Sequence, residues 1–336
     1  MKRAKKLQGL GVAGLLAAGS IFASGALTAA PAAASSCVSA KNIEAIVDDS
    51  GSMSITDKNR LRVQAMNLLI DTLSPTTQLG AVEFGSGLLS QPAADTVFAP
   101  AAVGPNAHAM SSALNKAIQA DNGATDYNGA FAQSDADNPG ADARIFLTDG
   151  GHDIGTYNDA HLVHKVPTYV IGFGTGVTAV VDQQRLKKIA NDTGGKYFSL
   201  SNAGQLQSVM NSVGAALTCQ TPPRQFTDAL RQGAAKTHSI AIGARTKTLQ
   251  IALTWASPLD KFKISGLRLV GSHGLLAVAS RRPARLKVKK TVSSTFVILR
   301  VSKLHQGRLH FKVAATKVGA GSKATLTTQI GQSRHR

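Results

Sequence analysis

The chain contains the stretch Ile46-Val47-Asp48-Asp49-Ser50-Gly51-Ser52-Met53, which decides how its first half is interpreted. An apolar run over residues 42–47 ends within this stretch, and its length is typical of a buried strand. Three oxygen-bearing side chains follow at alternating positions, Asp48, Ser50 and Ser52, in a D-x-S-x-S pattern. Alone, the pattern indicates little, because small polar residues also form ordinary turns and helix caps.

Strand and helix patterns alternate from this stretch to residue 219. Strands are predicted at residues 42–47, 78–84, 96–99, 144–148, 167–173 and 196–200, and helices at residues 58–73, 106–120, 157–164, 180–191 and 204–217. This order favours an α/β fold, a doubly wound and mostly parallel sheet with helices on both faces. In such sheets ligands bind in the crevice outside the carboxyl ends of the strands.

Two further loops at the predicted carboxyl ends carry oxygen ligands. One contains Thr125, and the other contains Asp149 directly after the strand at residues 144–148. Hydroxyl and carboxylate oxygens are hard ligands that suit Mg²⁺, Mn²⁺ or Ca²⁺ better than zinc or copper. Together the three loops predict one divalent-cation site, made by Asp48, Ser50, Ser52, Thr125 and Asp149.

Residues 37–219 resemble a von Willebrand factor type A (VWA) domain. The resemblance rests on the stretch quoted above and on Ile145-Phe146-Leu147-Thr148-Asp149-Gly150, Tyr169-Val170-Ile171-Gly172-Phe173-Gly174 and Gly194-Gly195-Lys196-Tyr197, in the family's order. The resemblance implies a Rossmann-like fold and a metal-ion-dependent adhesion site (MIDAS). In that site Ser50 and Ser52 would ligate the ion, Thr125 would bind directly or through water, and Asp48 and Asp149 would act largely through water. It also implies a protein partner that supplies a Glu or Asp carboxylate to the metal.

Asp49 adds a third carboxylate beside the predicted site. Two interpretations are open. Asp49 raises the affinity for a cation and lessens the need for an external acid, or its side chain points into solvent.

The N-terminus has the features of a secretory signal peptide, assigned to residues 1–34. Basic residues from Lys2 to Lys6 precede an apolar stretch from Leu7 to Leu27, and Ala32-Ala33-Ala34 offers a cleavage site. The alternative is an uncleaved membrane anchor, which the glycines within the apolar stretch disfavour. We therefore expect a secreted protein, extracellular or associated with the cell surface.

The chain has two cysteines, Cys37 and Cys219. In an oxidising compartment such a pair is a candidate disulfide, and the VWA fold would bring the two ends of the domain together. The alternative is a lipid anchor at Cys37, which lacks the usual sequence context and would leave Cys219 unpaired. We therefore predict a structural disulfide.

Charge divides the chain near residue 220. Residues 37–219 carry 11 basic and 17 acidic side chains, whereas residues 221–336 carry 22 basic and 2 acidic ones. Residues 220–235 are predicted to be a linker, and residues 236–332 a smaller antiparallel β-sandwich domain. Its seven predicted strands are residues 237–242, 248–255, 267–270, 275–279, 295–301, 308–314 and 324–330.

The densest basic run consists of Arg281, Arg282, Arg285, Lys287, Lys289 and Lys290. It predicts a surface for polyanions, such as anionic cell-surface polymers or a membrane surface, with a merely soluble charged surface as the alternative. A nucleic-acid partner is disfavoured, because few aromatic residues stand among the basic ones. A further alternative is salt-sensitive docking of the basic domain on the acidic one or on a neighbouring molecule.

These observations predict a secreted, metal-dependent protein-binding or adhesion protein that is not an enzyme. One alternative is a non-catalytic scaffold or accessory subunit of an envelope complex, attached to anionic surface polymers. A metal-dependent hydrolase is the other alternative. It is disfavoured, because the sequence has no G-x-S-x-G or H-E-x-x-H motif.

Overall fold

The computed structural model describes residues 39–85, 94–119, 123–159, 165–173, 179–200, 205–218, 224–271, 274–278, 286–319 and 321–334. These residues belong to one compact unit with two lobes, an α/β lobe followed by a β-sandwich lobe. No helix within the described ranges is long and apolar enough to cross a membrane.

The α/β lobe is built on a six-stranded sheet. Its strands are β1 (Asn42–Asp48), β2 (Gln78–Phe84), β3 (Ala94–Ala102), β4 (Ala143–Thr148), β5 (Thr168–Phe173) and β6 (Lys196–Leu200). Its helices are α1 (Met53–Thr56), α2 (Leu61–Thr72), α3 (Val103–Ala117), α4 (Tyr127–Asp137), α5 (Ala179–Thr193) and α6 (Leu206–Leu217). The strand order is β3-β2-β1-β4-β5-β6, and every pair is parallel except β2 with β3. This confirms the predicted doubly wound, mostly parallel sheet.

Apolar clusters cover both faces of this sheet, because successive side chains of a strand point to opposite sides. Val47 packs into the cluster that includes α2 and α6, whereas its neighbour Ile46 packs against Phe146 on the other face. The sequence of a strand that is buried on both faces is a nearly continuous run of apolar residues, and β1 and β4 were predictable for this reason. Val47 is opposite Leu147 in the parallel pair, so β1 and β4 end at the same edge of the sheet.

Three helical segments of this lobe differ from the prediction, and the first is the four-residue α1, which was not predicted. The structure has α4 at Tyr127–Asp137, where no helix was predicted. A helix was predicted at residues 157–164, but residues 157–159 are not helical, and residues 160–164 lie outside the described part of the chain.

The second lobe consists of two antiparallel sheets, as predicted. Its strands are β7 (Arg224–Leu230), β8 (Ala235–Ile242), β9 (Thr246–Trp255), β10 (Lys261–Gly271), β11 (Gly274–Val278), β12 (Lys287–Val292), β13 (Phe296–Ser302), β14 (Gly307–Lys317) and β15 (Ala324–Arg334). The four-stranded sheet has the order β11-β10-β14-β8, and the five-stranded sheet has the order β12-β13-β9-β15-β7. Side chains such as Leu253, Leu269 and Phe311 fill a single core between the two sheets.

Two strands of the sandwich were not predicted as strands. β7 lies inside the predicted linker at residues 220–235 and pairs with β15, with Leu230 opposite Ala324, so this part of the segment belongs to the sandwich. β12 contains part of the predicted basic run and is the last strand at one edge of its sheet. Lysines are common on edge strands, because their charge discourages pairing with another chain.

The outer face of the five-stranded sheet packs on α2 and α6. Leu68 of α2 contacts Phe296 of the sheet, and the buried Asn211 of α6 donates from Nδ2 to Gln329 Oε1 at 2.9 Å. The two lobes therefore pack against each other, and the salt sensitivity of this docking stays a prediction. Apolar contacts and hydrogen bonds between neutral side chains contribute to it.

Candidate metal site

The candidate site lies at the carboxyl ends of β1 and β4. Asp48 is the last residue of β1 and is fully buried. Its Oδ1 accepts a hydrogen bond from Ser50 N at 2.9 Å, and its Oδ2 accepts one from Thr148 Oγ1 at 2.5 Å. The carboxylate therefore fixes the turn that follows β1 and ties it to the end of β4.

Side-chain oxygens from the two loops form a continuous chain. Ser50 Oγ lies 3.2 Å from Ser52 Oγ, and Ser52 Oγ donates to Asp149 Oδ1 at 2.7 Å. The other carboxylate oxygen of Asp149 accepts from Thr56 Oγ1 of α1. Ser50 is buried and Ser52 is exposed, so the chain of oxygens runs from the sheet edge out to solvent.

Thr125 approaches the same place from the loop that precedes α4. Its side chain is buried, and a Cβ on Gly150 would lie 3.7 Å from both Thr125 Oγ1 and Ser52 Oγ. Asp153 Oδ1 accepts from Thr125 N at 2.8 Å and holds this loop in place. Asp48 is hydrogen-bonded to Ser50, and Ser52 lies within hydrogen-bond distance of both Ser50 and Asp149, so the structure brings all five predicted residues to one edge of the sheet.

Asp49 belongs to a separate, fully buried ion pair. Arg62 Nη2 lies 2.6 Å from Asp49 Oδ1, and neither side chain is exposed to solvent. Asp49 Oδ2 also accepts from the backbone N–H of Gln119 at 3.1 Å. The interpretation that Asp49 points into solvent is therefore wrong, and Arg62 balances the charge that this residue brings.

Arg62 is positioned by the start of α2. Asp57 accepts from the backbone N–H groups of Leu61 and Arg62 at 2.7 and 2.8 Å and so satisfies two donors of the first turn of α2. Arg60 takes a left-handed φ of 52° to make the turn. Arg62 Nη1 then lies 3.2 Å from Asp57 Oδ2, so one guanidinium joins two buried carboxylates.

The electrostatics of the site favour a cation. Burial and the neighbouring Asp149 raise the pKa of Asp48 to about 7, and burial also raises the pKa of Asp149. Four carboxylates, of Asp48, Asp49, Asp57 and Asp149, and the guanidinium of Arg62 give a formal charge of −4 + 1 = −3 when all are ionised. A divalent cation would reduce this formal charge to −1. It would also favour the ionised forms of Asp48 and Asp149, the two carboxyl groups whose pKa values are raised.

The donor set fits a hard divalent ion. Hydroxyl and carboxylate oxygens are the ligands that Mg²⁺, Mn²⁺ and Ca²⁺ prefer. Among the described residues there is no cluster of three or more His, Cys, Asp or Glu side chains that could hold a metal. The candidate site therefore depends on its hydroxyls as much as on its two carboxylates.

Several residues that shape the site were not predicted. Thr148, Thr56 and Asp153 hold Asp48, Asp149 and Thr125 respectively. Thr148 could have been found from its place beside Asp149 in the Thr-Asp-Gly sequence. The others come from separate loops, and their contacts depend on the folded chain.

Comparison with known proteins assigns the family. A family model described as the von Willebrand factor type A domain matches residues 42–212. The chain belongs to the von Willebrand factor type A domain family. No curated protein matches the chain.

Several solved structures are similar to this VWA protein. One is a von Willebrand factor type A protein from Catenulispora acidiphila, with 17% identity over 88% of this chain and 65% of that one, and a TM-score of 0.44. Another is proximal thread matrix protein 1 from the mussel byssus with a zinc-occupied MIDAS motif, with 17% identity, coverage of 58% and 50%, and a TM-score of 0.42. A third is the pilus adhesin SpaC from Lactobacillus rhamnosus GG, with 12% identity, coverage of 88% and 44%, and a TM-score of 0.42. This chain therefore spans less than two thirds of each of these relatives.

The cysteines predicted to pair, Cys37 and Cys219, lie outside the described residues. Close to them in sequence, Ala40 N donates to Leu217 O at 2.9 Å. The beginning and the end of the VWA lobe therefore meet as the fold predicts, and the disulfide stays a prediction.

The predicted basic run is described only in part. Arg281, Arg282 and Arg285 lie outside the described residues, whereas Lys287, Lys289 and Lys290 are exposed on β12. Because side chains alternate along a strand, Lys287 and Lys289 share the face that borders the VWA lobe, and Lys290 lies on the other face. The described part of the run is therefore divided between the two faces of β12.

Proposed function

We propose that this protein is a secreted or cell-surface VWA protein that binds one divalent cation, Mg²⁺, Mn²⁺ or Ca²⁺, and engages a carboxylate of a partner protein there. The observation that carries the proposal is the convergence of Asp48, Ser50, Ser52, Thr125 and Asp149 from three loops. When bound, the cation would supply an electrophilic position for an anionic oxygen from outside the chain.

The residues of the site would contribute to binding of the ion in different ways. Ser50 and Ser52 present neutral hydroxyls, which do not cancel the charge of a divalent ion. Both oxygens of Asp48 already accept hydrogen bonds, so this carboxylate supports the hydroxyls from behind. Because Ser52 is exposed at the end of the oxygen chain, an external carboxylate could approach from that side.

We propose binding rather than catalysis, because the carboxylates that could act as a general base are otherwise engaged. Asp49 is buried against Arg62. Asp126 is the N-cap of α4, and its Oδ1 accepts from the backbone N–H of Asn128 at 3.0 Å. A general base must reach the proton that it removes, and these contacts hold Asp49 in the interior and one oxygen of Asp126 at the start of α4.

The proposal is tested with Mn²⁺ as the probe ion. Relaxation of water protons by the Mn²⁺-loaded mature protein is measured while a short peptide with a central glutamate is added. A carboxylate that takes a position on the ion displaces water, so the relaxation enhancement should fall. The same peptide with glutamine should have no effect.

Variants assign the effect to the site. Asp149→Asn should remove the enhancement by Mn²⁺, whereas Asp95→Asn, which changes an exposed carboxylate on β3, should leave it unchanged. Equal responses to the glutamate and glutamine peptides would contradict the proposed recognition of a carboxylate.

A further inference from the structure

The sandwich lobe presents its positive charge without competing carboxylates. Residues 221–336 contain only two acidic side chains, Asp228 and Asp260, which are 4% and 6% exposed. Asp228 lies 2.7 Å from His238 Nε2, and Asp260 accepts from the backbone N–H of Gly319 at 2.7 Å. No acidic side chain is therefore exposed among the described residues of this lobe.

The outer face of the four-stranded sheet concentrates exposed cations. Six basic side chains on β10 and β14 are exposed. Lys317 is the last residue of β14, and we call the other five the outer-face cations: Lys261, Lys263, Arg268, Arg308 and Lys312. None of the five takes part in an ion pair among the described residues. This face lies on the side of the sandwich opposite the sheet that packs on the VWA lobe.

A bulge in β10 keeps these cations on one face. The register with β14 shifts between Ser265 and Arg268, where Gly266 takes a left-handed φ of 64°. The extra residue reverses the alternation, so Ile264 and Leu267 both point into the core and Arg268 points outward. Without the bulge, Arg268 would face the core.

The register spaces the cations along the two strands. Ser265 is opposite Lys312, and Arg268 is opposite His310. Lys263 and Lys312 are therefore diagonal neighbours, at a separation of about 7–8 Å between such positions in an antiparallel pair. A shallow groove of about 480 Å³ includes both lysines and the hydroxyl-bearing Ser265 and Thr316.

The chemistry of this face fits phosphate groups. No Phe, Tyr or Trp faces outward from β8, β10 or β14, so the stacking that supports single-stranded nucleic acid is absent from these strands. No large exposed apolar side chain lies on these three strands to enter a lipid surface. Lysine, arginine and hydroxyl groups are common donors to phosphate oxygens.

We propose that the outer face of the four-stranded sheet binds a linear phosphate polymer without bases. The polymer would lie along β10 and β14 with its phosphates on the outer-face cations. This binding does not depend on the metal site, and it uses a different surface from the basic run at residues 281–290.

The test uses fluorescein-labelled inorganic polyphosphate of one chain length, added to the full mature protein in excess chelator. Fluorescence anisotropy gives the affinity between 50 and 300 mM NaCl. With about 0.7 counterions released per contact, five contacts predict a slope of about −3.5 in log affinity against log salt. A triple variant, Lys263→Gln with Arg268→Gln and Lys312→Gln, should weaken binding roughly tenfold or more and reduce the slope to about −1.4.

The matched control removes the same charge from β12, as Lys287→Gln with Lys289→Gln and Lys290→Gln. It should keep the wild-type slope and lose no more than about twofold in affinity. Equal losses in the two triple variants, both with wild-type circular dichroism, would overturn the proposal, because net charge alone would then explain binding. Binding of polyglutamate or oligothymidylate of equal charge as tight as polyphosphate would also overturn it.

Discussion

Replacing Glu44 with glutamine should remove a large pH-dependent loss of stability from the VWA lobe. Glu44 lies in β1 and is fully buried. Its Oε2 accepts from Asn138 Nδ2 at 3.0 Å, and its Oε1 has no hydrogen-bond partner among the described residues. Burial raises the pKa of Glu44 from 4.5 to about 8, although the hydrogen bond from Asn138 opposes the shift.

The sign of the effect follows from this raised pKa. Protons bind the folded state more tightly than the unfolded state, so the contribution to stability is complete below about pH 4.5 and is lost as the pH rises to about 8. Between pH 5 and pH 9 these two pKa values correspond to a loss of about 4 kcal/mol. This is a large share of the roughly 5–15 kcal/mol that stabilises a typical domain.

The assay is urea unfolding in chelator at pH 5 and pH 9, followed by circular dichroism. Glu44→Gln resembles the protonated carboxyl group and cannot ionise. The unfolding free energy of Glu44→Gln minus that of wild type should therefore increase by about 4 kcal/mol from pH 5 to pH 9. Asp95→Asn, at an exposed position, should show no such growth. Parallel pH profiles for wild type and Glu44→Gln would refute the reasoning.

Two further substitutions test how the metal loop is held. Gly85 has a φ of 96°, and a Cβ at this position would lie 2.7 Å from Ser50 Cα. Gly85→Ala should therefore shift Ser50. We expect the variant to bind Mn²⁺ about tenfold or more weakly than wild type in a competition titration. A variant that folds and binds Mn²⁺ as wild type does would contradict that placement. Arg62→Met leaves Asp49 buried without its partner and should cost about 3–5 kcal/mol of unfolding free energy in chelator. An unchanged denaturation midpoint would show that this pair does not matter for stability.

The core of the VWA fold and its site were predictable because the signals are local. β1 and β4 are short apolar runs buried on both faces, and each is followed directly by oxygen-bearing residues. Parallel neighbours bring their carboxyl ends to one edge, so the convergence of Asp48 and Asp149 follows from topology. α4 gave no such signal, because Gly129 and polar residues leave only a few buried positions along Tyr127–Asp137.

The remaining features depend on contacts between distant parts of the chain. Asp49 is paired because the left-handed turn at Arg60 places Arg62 beside it, and residue spacing does not reveal that turn. β7 was assigned to a linker because its identity as a strand depends on pairing with β15, about 100 residues away in the chain. The outer-face cations are scattered along two strands, so a search for dense basic runs favoured β12 instead.

The most direct test of the central claim is isothermal titration of Mg²⁺, Mn²⁺ and Ca²⁺ into the chelator-treated mature protein, with Asp149→Ala and Asp95→Asn beside it. We predict saturable binding at one site per chain in wild type and in Asp95→Asn, and its loss in Asp149→Ala without loss of the fold. Equal binding by Asp149→Ala and wild type, or no binding of any of the three ions by wild type, would contradict the account.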